Sequence, residues 1–141
     1  MMRDKKILTG VIREKIMKLL ISSILIFLMM SMTVYASELQ EAADAYRRGE
    51  FDTAQDKFKR LAEQGDAEAQ FYFGTMYFDK GDFRRAARWF LDSAKQGHAL
   101  SQFMLSVQYM GGEGVQKNPK EALRWLMLAA EKGHALAHIT L

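Results

Sequence analysis

Beyond residue 38, apolar residues recur three and four positions apart. Over 67–78 they fall at Ala69, Phe73, Met76 and Tyr77, and over 83–96 at Phe83, Ala86, Ala87, Phe90 and Ala94. That spacing predicts two amphipathic helices, and Asp79-Lys80-Gly81-Asp82 between them reads as a turn. Before residue 38 the pattern changes. Leu19 to Met32 reads LLISSILIFLMMSM, fourteen residues without a charge.

The helical pattern repeats. Ala54–Gly65 (AQDKFKRLAEQG) returns thirty-two residues later as Ala86–Gly97 (AARWFLDSAKQG), and thirty-six further on as Ala122–Gly133 (ALRWLMLAAEKG). The same frame aligns Gly49-Glu50-Phe51 with Gly81-Asp82-Phe83, and Ala67-Glu68-Ala69-Gln70 with Ala99-Leu100-Ser101-Gln102 and Ala135-Leu136-Ala137-His138. Each unit is therefore a helix pair, with units at about 38–66, 67–98 and 99–134 and a partial fourth at 135–141. Gly65, Gly97 and Gly133 each follow a helix, where the left-handed cap favours glycine. Asn118-Pro119-Lys120-Glu121 offers an N-cap and a proline at the first helical position. Unit three carries four extra residues within Gly111–Asn118, a turn that can absorb them. The sequence stops inside a fourth first-helix, so the expectation is either a truncated product or a short helical lid over unit three.

Charge separates the two regions. Residues 1–36 hold six Lys/Arg against two Asp/Glu, a charge of +4; the rest hold 14 against 15, or −1. The basic character of the chain thus lies in its leader, and the repeats lack the footprint of a nucleic-acid binder. Lys15 and Lys18 precede the apolar run, and Val34 and Ala36 supply small residues at −3 and −1, so residues 1–36 read as a secretory signal cleaved before Ser37. Met17-Lys18 is itself a plausible start, which would make the first 16 residues an upstream extension. The competing reading is an uncleaved inner-membrane anchor, the only membrane contact the sequence offers; the run is shorter than the roughly 20 residues a span prefers. The expected location is periplasmic or secreted. With no cysteine in the chain, disulfide frameworks, thiolate zinc sites and a lipoprotein anchor drop out.

Ala99, Gln102, Leu105, Tyr109, Gly112-x-Gly114-Val115, Ala122, Trp125 and Ala129-Ala130-Glu131-Lys132-Gly133 resemble a Sel-1-like repeat, a relative of the tetratricopeptide repeat. Units one and two, with Gly-x-Phe-x-x-Ala at Gly49–Ala54 and Gly81–Ala86, are more similar to tetratricopeptide repeats. The resemblance covers about 38–141 and implies an all-α, right-handed α-solenoid of helix-turn-helix units. The pattern departs at Ser106, where Gly74 stands in unit two, and at Lys57, which fills the tryptophan position of Trp89 and Trp125.

The resemblance also implies that the first helices line a concave groove. Carried over, the groove positions are Leu39, Ala43, Tyr46 and Arg47 in unit one, Glu68, Phe71, Thr75, Phe78 and Asp79 in unit two, and Leu100, Phe103, Val107 and Met110 in unit three. Tyr46, Phe71, Thr75, Phe78, Phe103, Val107 and Met110 are the candidate partner-binding residues, with Phe71 and Phe103 as anchors for a peptide segment. The alternative for several of them is packing between adjacent helices. No catalytic constellation is legible. Gly111-Gly112-Glu113-Gly114 follows a helix, not a strand, so it is no phosphate loop. His134 and His138 are four apart but have no convergent third ligand, and His98 and His134 read as polar turn residues. Trp89 and Trp125 read as core, and Arg84, Arg85 and Arg88 as a solvated face. No metal, cofactor or nucleic acid is expected. The expected role is a non-enzymatic protein-interaction module or scaffold of the cell envelope, with an unidentified protein partner; a homodimer through the incomplete fourth unit is a further arrangement. The alternative function, from family analogy alone, is a binder or hydrolase of a β-lactam or muropeptide, against which stand the missing cysteines and the lack of a Ser-x-x-Lys motif.

Overall fold

The structure is a computed structural model and describes residues 2–131. Gly133, His134, His138 and the segment 135–141 lie outside the described residues. Six helices run in order: α1 (Met2–Arg47), α2 (Phe51–Glu63), α3 (Ala67–Asp79), α4 (Phe83–Lys95), α5 (Ala99–Gly111) and α6 (Pro119–Glu131). No strand occurs among the described residues. The chain divides into two compact units, Met1–Glu38 and Leu39–Leu141.

In the first unit the apolar side chains of Leu19 to Val34 stand exposed, Phe27 at 72% and Met29 at 70%. Thr9–Arg47 is long and apolar enough to cross a membrane, which fits a signal segment or an anchor. The hydroxyls of Ser23, Ser31 and Thr33 turn back onto the carbonyls of Leu19, Phe27 and Met30 at 2.6–2.8 Å, so none depends on an outside partner.

The second unit is all helix pairs. Four turns close in one way: at Gly65, its N–H donates to the Ala62 carbonyl (3.0 Å) and the Asp66 N–H to that of Leu61 (3.1 Å), with the same pair of bonds at Gly49, Gly81 and Gly97. These four glycines have φ between 78° and 97°, which a β-carbon would strain. α3, α4 and α6 start on side-chain caps. Asp66 Oδ1 accepts from the Ala69 N–H at 2.6 Å and Asp82 Oδ1 from Arg85 at 3.0 Å. Asn118 Oδ1 accepts from Glu121 at 3.2 Å, immediately before Pro119 opens α6.

Phe58, Leu61, Phe90 and Leu105 are buried to 1% exposure or less, each side chain contributing ~1.5–3 kcal/mol by transfer from water. Gly74 shows why that position takes a small residue: a Cβ there would stand 2.8 Å from the Phe90 ring. Polar pins cross between successive helices. The amide nitrogens of Gln70 and Gln102 donate to the carbonyls of Ala62 and Ala94, each eight residues back, at 3.2 and 3.1 Å. Ser101 donates to Ser93 (2.7 Å) and Ser93 to the Ala67 carbonyl (2.6 Å), tying α5, α4 and α3 into one buried chain.

Candidate functional site

α5 turns one face inward and one outward. Ser101, Gln102, Leu105, Ser106 and Gln108 are buried. Leu100, Val107 and Met110 stand 42–50% exposed, with Phe103 half-buried beside them. The spacing 100, 103, 107, 110 puts these four on one helical stripe. Three of them line a cleft of about 410 Å³, together with Ser106, Ala122 and Leu126, and Glu113 brings a carboxylate to its edge.

The expected groove residues of the earlier units sit differently. Phe71 is half-buried, its ring 6.0 Å from Phe90 and 5.0 Å from His98. Phe78 stacks edgewise on Phe83 at 5.0 Å and also packs on the core around Phe90. The Thr75 hydroxyl donates to the Phe71 carbonyl at 3.0 Å. Tyr46 lines a second, smaller cleft of about 210 Å³ with Phe51, Met76, Asp79 and Lys80, and its hydroxyl donates to Asp79 Oδ2 at 3.1 Å. Burial, then the Asp79 charge, pushes the Tyr46 hydroxyl above its usual range. Phe103, Val107 and Met110 therefore come together, Tyr46 lines another hollow, and Phe71 and Phe78 share the core.

The unit-three insertion shapes the rim of the larger cleft. Gly112 (φ 83°) caps α5, and the Asn118 N–H returns to the Tyr109 carbonyl at 2.8 Å. Gly114 lies against the first residue of α4, where an added Cβ would be 2.1 Å from the Phe83 carbonyl oxygen. The amide of Gln108 donates to that same oxygen at 3.1 Å. The loop is thus fixed on the preceding unit, and no phosphate-cradling arrangement is needed to explain its glycines.

Sequence reading missed His98. Its ring Nδ1 lies 3.3 Å from the Ser101 N–H and 2.9 Å from the Ser101 hydroxyl, so it caps α5 where Asp66 caps α3. The equivalence of 66 and 98 was the available signal. Burial holds its pKa below the usual histidine value, opposed by the charge of Asp66. Trp125 is buried at 5% exposure, Trp89 meets Phe73 edgewise at 5.2 Å, and Arg84, Arg85 and Arg88 are exposed. Among the described residues no group of three His, Cys, Asp or Glu side chains could hold a metal.

The family model described as "Sel1 repeat" matches residues 67–98 and 99–134. No curated protein matches the chain. Among solved structures, a protective antigen of uropathogenic Escherichia coli strains, described as displaying an SLR fold, is 34% identical over 64% of this chain with a TM-score of 0.62. A Sel1 repeat protein from Oxalobacter formigenes is 32% identical over 72% of the chain, with a TM-score of 0.67. The chain spans 20% and 43% of the lengths of these two proteins. Cysteine rich protein B of Helicobacter pylori shares the fold, at 17% identity and a TM-score of 0.60, over 76% of this chain and 94% of its own.

Proposed function

The chain is a Sel1-repeat protein, with repeats at 67–98 and 99–134, and from that premise we propose that it is a non-enzymatic scaffold which binds a partner protein on the first-helix face of its solenoid. Sel1-repeat proteins are in general protein-interaction modules. One observation carries the finer reading: the stripe of Leu100, Phe103, Val107 and Met110 on α5 gives apolar area to solvent while the opposite face of the helix is buried. A partner segment presenting apolar side chains at helical or extended spacing would fill the cleft against Val107 and Met110, with Phe103 as its floor. Of the remaining candidates, Tyr46 lines a separate hollow and Phe71 and Phe78 pack on the core around Phe90, so in this reading they and Thr75 contribute less to the partner face.

The apolar N-terminal helix supports placing this scaffold at the cell envelope, exported by a signal cleaved after Ala36. The test is affinity capture of the tagged chain from an envelope extract, beside the variant Val107→Asp/Met110→Asp. Both positions are about half exposed, so the double variant should unfold within about 0.5 kcal/mol of the wild type. The expected result is one dominant protein retained by the wild type and lost by the variant. Equal recovery of that protein by both would sink the reading.

A further inference from the structure

We infer that the hollow between the last turn of α1, the start of α2 and the end of α3 is a pocket for the ammonium end of a lysine side chain on a partner polypeptide. It holds about 210 Å³, is lined by Tyr46, Phe51, Met76, Asp79 and Lys80, and shares no lining residue with the cleft beside α5.

Two rings make a corner there. Tyr46 and Phe51 lie 5.6 Å apart with their planes at 75°, and Phe51 is 56% exposed, so aromatic surface reaches solvent. Phe58 and Tyr72 pack on Tyr46 at 6.5 and 6.2 Å and hold its ring in place. The faces of such rings carry negative potential and attract a cation. Asp79 supplies a full charge. Its Oδ2 accepts the Tyr46 hydroxyl at 3.1 Å, and among the described residues it forms no ion pair. It is also the last residue of α3, where the helix dipole opposes a negative charge and no basic side chain in that turn offsets it. The ammonium of Lys80 donates to Gln55 Oε1 on α2 instead. A carboxylate so placed gains from an incoming cation. With Oδ2 already engaged, Asp79 suits the point charge of an ammonium better than the two-pronged guanidinium of arginine.

The repeat frame separates this hollow from ordinary packing. Thirty-two residues on, Tyr46, Phe51, Met76 and Asp79 become Phe78, Phe83, Gln108 and Gly111. The ring pair persists, at 5.0 Å and 66°. The hydroxyl and the carboxylate do not, and the Gln108 amide and Gly114 both lie against the Phe83 carbonyl. Joining two units therefore needs the rings but not Asp79.

The test is a titration of the full chain, in non-ionic detergent, with Nα-acetyl-lysine methylamide, followed by the NMR signals of the Tyr46 and Phe51 rings. Saturable shifts at millimolar probe are expected, with the matching norleucine derivative, which lacks the ammonium, binding at least about fivefold more weakly. Asp79→Asn still offers an oxygen to the Tyr46 hydroxyl, and Phe51→Leu keeps an apolar wall. Each should weaken the lysine probe by at least about fivefold and leave the norleucine probe unchanged. Lys80→Gln, which removes a competing positive charge, should tighten it. Val107→Asp/Met110→Asp should have no effect, so failure of this pocket and failure of the α5 partner face are read separately. Equal binding of the lysine and norleucine probes overturns the inference, as does the absence of any shift or an Asp79→Asn variant that binds like the wild type. Tighter binding of the arginine derivative, or of free putrescine, also overturns it, because the occupant would then be a guanidinium or a free amine.

Discussion

Gly114 is where the unit-three turn has no room for a side chain. Its φ is +71°, and a Cβ would collide with the Phe83 carbonyl at 2.1 Å, an atom already accepting the Gln108 amide. Gly114→Ala should therefore cost more than the ~1–2 kcal/mol of a left-handed alanine alone. Gly49 has a similar φ of +79° but open space around it, so Gly49→Ala should show only that backbone cost. Urea unfolding of the two variants checks the difference. His98 makes a second prediction at this scale. Because burial lowers its folded pKa below 6.5, the unfolded chain takes up the proton first as pH falls. His98 thus contributes nothing to the pH dependence well above 6.5, and stability is lost as pH falls through the unfolded and then the folded value. His98→Asn, which keeps a capping oxygen, should lose less stability between about pH 7.5 and pH 5 than the wild type does, measured by denaturant midpoints.

Between helices, the glutamine pins differ in how fully they are bonded. The Gln70 oxygen accepts from the Gln96 amide at 2.8 Å, while the Gln102 oxygen is buried without a partner among the described residues. Gln70→Leu should accordingly cost ~1–2 kcal/mol, and Gln102→Leu distinctly less, in equilibrium unfolding. Equal costs would mean that the second acceptor bond contributes nothing. The helices themselves were legible in the sequence. The spacing predicts α3 over 67–78 and α4 over 83–96, and both lie within a residue of their observed ends. Gly65 and Gly97 also cap where expected. Hidden from such a reading were Gln70, Gln102, Gln108, Ser93 and Ser101, because hydrophobic periodicity assigns every polar residue to solvent. Their burial depends on which carbonyl the neighbouring helix presents, a property of packing that no single helix encodes. For the same reason Phe71 and Phe103, alike in sequence and both half-buried, pack on different clusters: Phe71 on the one around Phe90, Phe103 on Leu126, Ala129 and Ala130.

At the scale of the molecule the repeats carry their own core, beginning at Ala42 and Ala45, and among the described residues no buried apolar residue precedes residue 38. A chain beginning at Ser37 should therefore unfold within about 0.5 kcal/mol of the full-length protein. Intact-mass measurement of the protein recovered from cells should show that same start if the leader is processed, whereas a mass that retains residues 1–36 would favour the anchor. The principal contacts of α2 to α6 run only between helices adjacent in sequence: α2 with α3, α3 with α4, α4 with α5, α5 with α6. That arrangement has a mechanical corollary. A pull on the two ends loads these junctions in series, so the solenoid should yield by peeling one helix pair at a time. Each step would release 32 or 36 residues, about 105–130 Å of extended chain, so the solenoid would be compliant and lengthen in increments under load instead of failing all at once.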